Sequence, residues 1–187
     1  MKQIETLYKT YTGSLPESVT ELPSSGSNRR YFRLTGKDGS LIGTKGSCID
    51  ENKAFLAIAD HFEKQGLPVP HIYCHSRDFS CYLQQDLGDA TLFQAVENGR
   101  SRGNYSNTEK ELLCRAMAAL PSIQFKGAQG LDFNVCYPQP EFDERMISFD
   151  LNYFKYCFLK ATGLEFSEIK LENDFREMSR FLLESDS

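Results

Sequence analysis

Ser24-Ser25-Gly26-Ser27-Asn28-Arg29-Arg30-Tyr31-Phe32-Arg33-Leu34, followed across Thr35-Gly36-Lys37-Asp38-Gly39-Ser40 by Leu41-Ile42-Gly43-Thr44-Lys45, decides the fold. The first run reads as a small-residue turn feeding a strand from Arg30 to Leu34. The Thr35–Ser40 stretch is a hairpin turn, and Leu41 to Lys45 returns antiparallel. Upstream, Ile4, Leu7 and Tyr8 stand at helical spacing within residues 3–12, and Leu15 to Pro23 is extended between two prolines. Downstream, Asp50 can cap a helix whose apolar positions are Ala54, Phe55, Ile58, Ala59 and Phe62. Gly66, Pro68 and Pro70 end it. Val69 to Cys74 and Ser80 to Gln84 are two more strands around an Arg77-Asp78 turn. The spacing therefore predicts an α+β lobe over residues 1–89: a helix, a hairpin, a second helix and two strands.

The pattern changes after Asp89. Thr91 to Asn98 reads as a short helix closed by Gly99, with Asp89 as its cap. A second helix carries Leu112, Leu113, Ala116, Met117 and Leu120 on one face. Asp143 to Ala161 predicts one aromatic helix with Met146, Phe149, Tyr153, Tyr156 and Cys157 along a packing stripe. Ser167 opens a last helix with Phe175, Met178, Phe181 and Leu182 inward. Residues 90–187 are thus read as a helical second part.

Composition narrows the classes. The chain of 187 residues carries a formal net charge of -5 and has a pI near 5.3. Non-specific attraction to a phosphate backbone has no global support, and Arg29, Arg30 and Arg33 are the only compact basic group. Those arginines read as solvated or ligand-facing, so no nucleic acid is expected as a partner. No apolar run reaches the ~20 residues of a membrane span, and the N-terminus lacks a secretion signal; a cytoplasmic protein is expected. The six cysteines are scattered, which argues for reduced, mostly buried thiols over disulfides or a zinc site.

Three segments can carry chemistry. Ser24, Ser25, Gly26 and Ser27 offer backbone N–H groups and hydroxyls to an anion, or form a plain turn. Gly39 to Lys45 is not a P-loop, because the lysine neither follows the glycine directly nor precedes the hydroxyl residue. Lys45, closing a strand, can reach nucleotide phosphates, or pack its stem and leave its head in solvent. Glu51, one turn into the next helix, can hold Lys45 by an ion pair. Gln85, Asp86 and Leu87 leave a strand without turning back; their backbone can meet an adenine edge while Leu87 covers the base.

With Phe55-Leu56-Ala57-Ile58-Ala59, Gly66-Leu67-Pro68-Val69-Pro70 and Leu83-Gln84-Gln85-Asp86-Leu87-Gly88-Asp89, the Arg29–Leu34 motif resembles the aminoglycoside phosphotransferase family. The likeness is to its bacterial N-acetylmuramate/N-acetylglucosamine kinase branch, in order over residues 22–160. The resemblance implies a protein-kinase-like N-lobe, a twisted antiparallel sheet plus one helix, followed by the first helices of an α-helical C-lobe. It implies ATP with Mg²⁺ as cofactors and a small hydroxylated acceptor such as a sugar. The nucleotide-binding residues would be Ser24, Ser25, Gly26, Ser27, Lys45, Glu51, Gln85, Asp86 and Leu87.

The family's His-x-Asp catalytic loop is missing: His61, His71 and His75 have no aspartate two residues on. Asp132-Phe133-Asn134 has no such loop before it and is not taken as a metal site. The expectation is therefore the N-terminal part of an ATP-dependent phosphotransferase, inactive alone, with no catalytic or metal-binding residue in this chain. The alternative is a non-catalytic, pseudokinase-like interaction module that self-associates through an apolar helical face around Phe149, Tyr153, Phe154 and Phe158.

Overall fold

The computed structural model describes residues 1–23 and 28–184. It divides the chain into two compact units, Met1–Pro138 and Gln139–Ser187. The first opens with α1 (Lys2–Thr12) and then builds a five-stranded antiparallel sheet. Its strands are β1 (Ser18–Glu21), β2 (Arg30–Gly36), β3 (Gly39–Lys45), β4 (Ile72–His75) and β5 (Cys81–Gln85), in the order β1-β2-β3-β5-β4. Helix α2 (Ile49–Lys64) connects β3 to β4. The α+β class is as read from the sequence, and the extended Leu15–Pro23 segment contributes β1 as an additional edge strand.

Side chains alternate across a strand, so the register sorts the sheet into two faces. Phe32, Gly43 and Leu83 stand side by side, as do Leu34 and Leu41 and the pair Arg30 and Lys45 beside Cys81. That face takes α1: Ile4 and Tyr8 close with Phe32, Leu34, Cys81 and Leu83 into the buried core. Gly43 is required there, because a Cβ would meet Ile4 Cγ2 at 2.5 Å and Leu34 Cδ1 at 2.7 Å. Tyr31, Thr44 and Tyr82 form a row on the opposite face, and Arg33, Ile42 and Gln84 form the next. Helix α2 packs on this second face, where the Phe55 and Tyr82 rings stack with centroids 5.1 Å apart.

Asn52 ties α2 to both neighbouring turns. Fully buried, its Nδ2 donates to Gly46 O (3.1 Å) and to Phe79 O (2.8 Å). Phe79 adopts a left-handed backbone (φ 58°) that a bulky residue rarely takes. Asp78 braces that turn by accepting from Ser76 Oγ, Ser80 N and Ser80 Oγ. Those three donors hold its carboxyl down to about 2.

The first unit continues well past residue 89. Short helices α3 (Leu92–Ala95) and α4 (Glu97–Arg102) replace the single expected helix, with Gly99 buried inside rather than closing it. Helix α5 (Asn107–Pro121) starts on a reciprocal Ser106–Glu109 capping box, and the same Glu109 carboxylate accepts from Gly99 N. Residues 127–129 fold back on α2: His61 Nε2 meets Gly127 O at 2.9 Å, and Gln65 Nε2 donates to Gln129 O. These contacts lie within the first compact unit, which extends to Pro138.

In the second unit, α6 (Glu144–Tyr153) runs into a π-helical turn over 154–159, so the expected continuous helix changes its winding halfway. Gly163 stops it, and α7 (Glu168–Glu184) follows. Lys155 is buried between them, with ion pairs to Glu168 (2.6 Å) and Glu172 (2.7 Å). The aromatic stripe is not a packing stripe. Phe149 is 64% exposed and Phe158 60%, and Tyr153 and Tyr156 also face outward. On α7, Phe175 is half-buried, whereas Met178, Phe181 and Leu182 are exposed. The thiols differ from expectation too: all six are free, yet Cys81 alone is buried, and Cys114 and Cys157 are exposed.

Candidate functional site

The charged groups of the sheet gather at two ends of the α2 face. At one end β5 leaves the sheet. Arg33 projects from β2 and donates to Asp86 through Nε (2.6 Å) and Nη2 (3.0 Å), and its Nη1 lies 2.9 Å from Asp89. Asp86 also accepts from Ser40 Oγ (2.7 Å) and Gly88 N (2.9 Å). The Arg33 guanidinium, foremost, and these two donors hold the Asp86 carboxyl down to about 2. Asp86 in turn raises Arg33, with Asp89 adding to the effect. Asp89 is thus a partner of Arg33. The cap of α3 is Thr91, whose Oγ1 accepts from Gln94 N.

Gln85 pairs with Leu41 in the sheet, and its N–H is spent on His71 O (2.8 Å). That donor is not free for a base, contrary to the expectation for Gln85. The next backbone along is different. Leu87 N–H and C=O make no hydrogen bond with the described residues, and its side chain is 66% exposed. Gly88, at φ 80°, turns the chain away. The connector therefore presents one open peptide edge, pinned by the buried Asp86 immediately before it.

At the other end of the same face, Arg29 precedes β2. Its Nη2 lies 3.0 Å from Glu51 Oε1 and donates to Glu51 O at 3.3 Å, while its guanidinium sits 5.0 Å above the Phe55 ring. Below it is the Tyr31–Thr44–Tyr82 row. Burial pushes the Tyr82 phenol up to about 12, against the opposing Arg29 charge and Thr44 hydroxyl. Neither Tyr82 Oη nor Thr44 Oγ1, although close, has a hydrogen-bond partner of good geometry among the described residues.

This arrangement corrects two readings. Glu51 pairs with Arg29, not with Lys45. Lys45 lies on the α1 face, beside Cys81 and Arg30, because it is one residue out of phase with Thr44. An odd number of residues along a strand changes the face, and no rotamer choice undoes that. Ser24, Ser25, Gly26 and Ser27 lie outside the described residues. Of the expected nucleotide-binding set, the described part brings Glu51 and Asp86 to one face, at its two ends.

Sequence reasoning read Arg29 and Arg33 as solvated or ligand-facing without assigning them to the site. The signal that would have found them is parity: Arg29, Tyr31 and Arg33 alternate onto one side of β2, and Arg30 goes to the other. On that other side a cavity of about 450 Å³ opens between α1 and the β2–β3 turn, lined by Tyr8, Tyr11, Lys37 and Tyr73 among others. Tyr11 and Tyr73 already lean together there, with centroids 5.5 Å apart. We place the candidate site on the α2 face because both groups of ion pairs lie there.

Among the described residues no group of three His, Cys, Asp or Glu is arranged to hold a metal ion, and no helix is long and apolar enough to cross a membrane. Neither the known family models nor the curated proteins contain a match to the chain.

Proposed function

We propose that this chain supplies the nucleotide-binding lobe of an ATP-dependent phosphotransferase acting in the cytoplasm on a small hydroxylated acceptor, a sugar or amino sugar. The observation that carries the reading is the placement of α2. It enters between β3 and β4 and ties a first-turn glutamate to a cation at the sheet end where the β1–β2 connection leaves. A helix glutamate holding a cation in this way is the device kinase lobes use to position phosphates.

The open Leu87 peptide follows Asp86 at the opposite end of the sheet. Six residues of β2 separate the Thr35 row from Arg29, about 20 Å at ~3.3 Å per residue, comparable with an extended nucleoside triphosphate. The described residues do not fit a magnesium ion, for the lack of clustered carboxylates. Nor do the three histidines supply an aligned base, so the activity assigned to this chain is nucleotide binding without turnover.

Calorimetry with ATP and with adenosine tests this. Binding of both is expected, with no phosphorylated sugar formed; absence of binding by either overturns the reading.

A second reading, a non-catalytic interaction module, is favoured by the exposed aromatics of the second unit, Phe149, Tyr153, Phe154 and Phe158. Patches of this kind mark interaction surfaces. Sedimentation velocity over a concentration series checks it, with association expected and lost in a Phe149→Asp, Phe158→Asp variant. A monomer at all concentrations removes self-association.

A further inference from the structure

We infer that the cavity between α1 and the β2–β3 turn binds a free aromatic amino acid whose ring carries a hydroxyl. The cavity lies on the α1 face of the sheet, away from α2, so the inference is independent of the nucleotide-binding reading above.

The cavity exists because the end of the hairpin is bare. On the α1 face the cross-strand pairs of β2 and β3 run Phe32 with Gly43, Leu34 with Leu41 and Gly36 with Gly39. The last pair has no side chains. A Cβ at Gly36 would meet Tyr8 Oη at 2.2 Å, whereas one at Gly39 would meet nothing within 4 Å. Backbone alone therefore floors the sheet beneath the last turn of α1. About 450 Å³ stays open there, within the roughly 300–1,000 Å³ of small-molecule sites.

Three features of its lining specify the ligand. Tyr8 is 5% exposed, yet its Oη, set against Gly36, makes no hydrogen bond with the described residues. A buried hydroxyl without a partner is costly, and a ligand hydroxyl removes that cost. Next, Tyr11 and Tyr73 lean together with centroids 5.5 Å apart, and His71 meets Tyr73 edge-on at 4.7 Å. This aromatic row ends at Tyr11, which is 47% exposed. A ligand ring extends the row, and Leu41 adds an apolar contact. Lastly, Lys37 and Asp38 line the cavity from the turn, and neither side chain has an ion pair or hydrogen bond among the described residues. An anion is attracted by one and repelled by the other, and so is a cation. A zwitterion satisfies both, with its carboxylate at Lys37 and its ammonium at Asp38.

The test is a ligand-observed NMR titration of the whole chain with L-tyrosine and three relatives, each lacking one feature. Phenylalanine lacks the hydroxyl, tyramine the carboxylate and desaminotyrosine the ammonium. Tyrosine is expected to bind with a Kd below about 1 mM, and about tenfold tighter than each relative. Each preference should disappear with its own partner: that over phenylalanine in Tyr8→Phe, that over tyramine in Lys37→Ala, and that over desaminotyrosine in Asp38→Ala. Tyr8→Phe keeps the core ring and the other two substitutions lie in an exposed turn, so the fold is retained. No binding of tyrosine by the wild type up to about 1 mM overturns the inference. So does binding in which all three variants keep the wild-type preferences, since the ligand then sits elsewhere. A single preference that survives its substitution overturns that contact.

Discussion

Replacing Asp86 by asparagine removes the charge that fixes the β5 connector while keeping its shape and some of its hydrogen bonds. The carboxylate is buried (8% side-chain exposure) and accepts from Arg33 twice, from Ser40 and from Gly88. A carboxyl lowered from its ordinary 3.8 to about 2 is favoured as the anion by about 2.5 kcal/mol. Water reaches the network from the side of Asp89, which is 79% exposed and gives Arg33 a residual partner. The net loss in Asp86→Asn should therefore be about 1 to 2 kcal/mol at pH 7.

Urea unfolding followed between pH 7 and pH 2 separates charge from shape. A depressed carboxyl contributes stability that is fully present above the ordinary carboxylate range and is lost as pH falls through the folded value. The wild type should lose its advantage over Asp86→Asn from about pH 4 down to about pH 2, where the two curves should converge. A difference that stays constant with pH, or one under about 0.5 kcal/mol at pH 7, would refute the assignment of Asp86 as the ionic pin of the connector.

Three further outcomes follow from the packing. Gly43→Ala forces a Cβ into Ile4 and Leu34 and should cost about 1 to 3 kcal/mol in chemical denaturation, the loosening concentrated in α1 by hydrogen exchange. Asn52→Leu leaves Gly46 O and Phe79 O without their donor, and should lower stability by about 2 kcal/mol, with raised exchange in the β4–β5 turn. Lys155→Met removes the cation between Glu168 and Glu172 and should speed exchange along α6 and α7. Lys155 and Lys160 lower the Glu168 carboxyl, so the wild-type contribution should persist at neutral pH and fade below the ordinary glutamate range. Exchange rates in Lys155→Met that match wild type at pH 7 would deny the pair any role.

The sheet was readable because its apolar positions alternate and its turns carry glycine, as at Gly36 and Gly39 around the β2–β3 hairpin. Helix α2 was readable for the opposite reason: Phe55, Ala59 and Phe62 recur at helical spacing, and Gly66 marks its end. The pairing of Glu51 was not readable. A spacing of six residues invites Lys45, but the choice is made by strand parity and by a residue 22 positions upstream, Arg29. Asp89 likewise looks like a helix cap by local pattern. A long-range arginine instead draws it to the sheet, which leaves Thr91 to cap the helix.

The aromatic run after Asp143 failed for a related reason. Periodicity tells which residues share a side of a helix, but burial depends on what lies opposite. Around Lys155, the inward position that the stripe assigned to rings is taken by the ammonium itself, which pairs with two half-exposed glutamates of α7. A buried ammonium with two carboxylates forms its own polar core, and the neighbouring aromatics then have no apolar surface of the same unit left to cover. The site shows the same hierarchy. Local pattern placed the strands and the helix, whereas the charged side chains took their positions from partners tens of residues away, and those partners decide which cations gather on the α2 face.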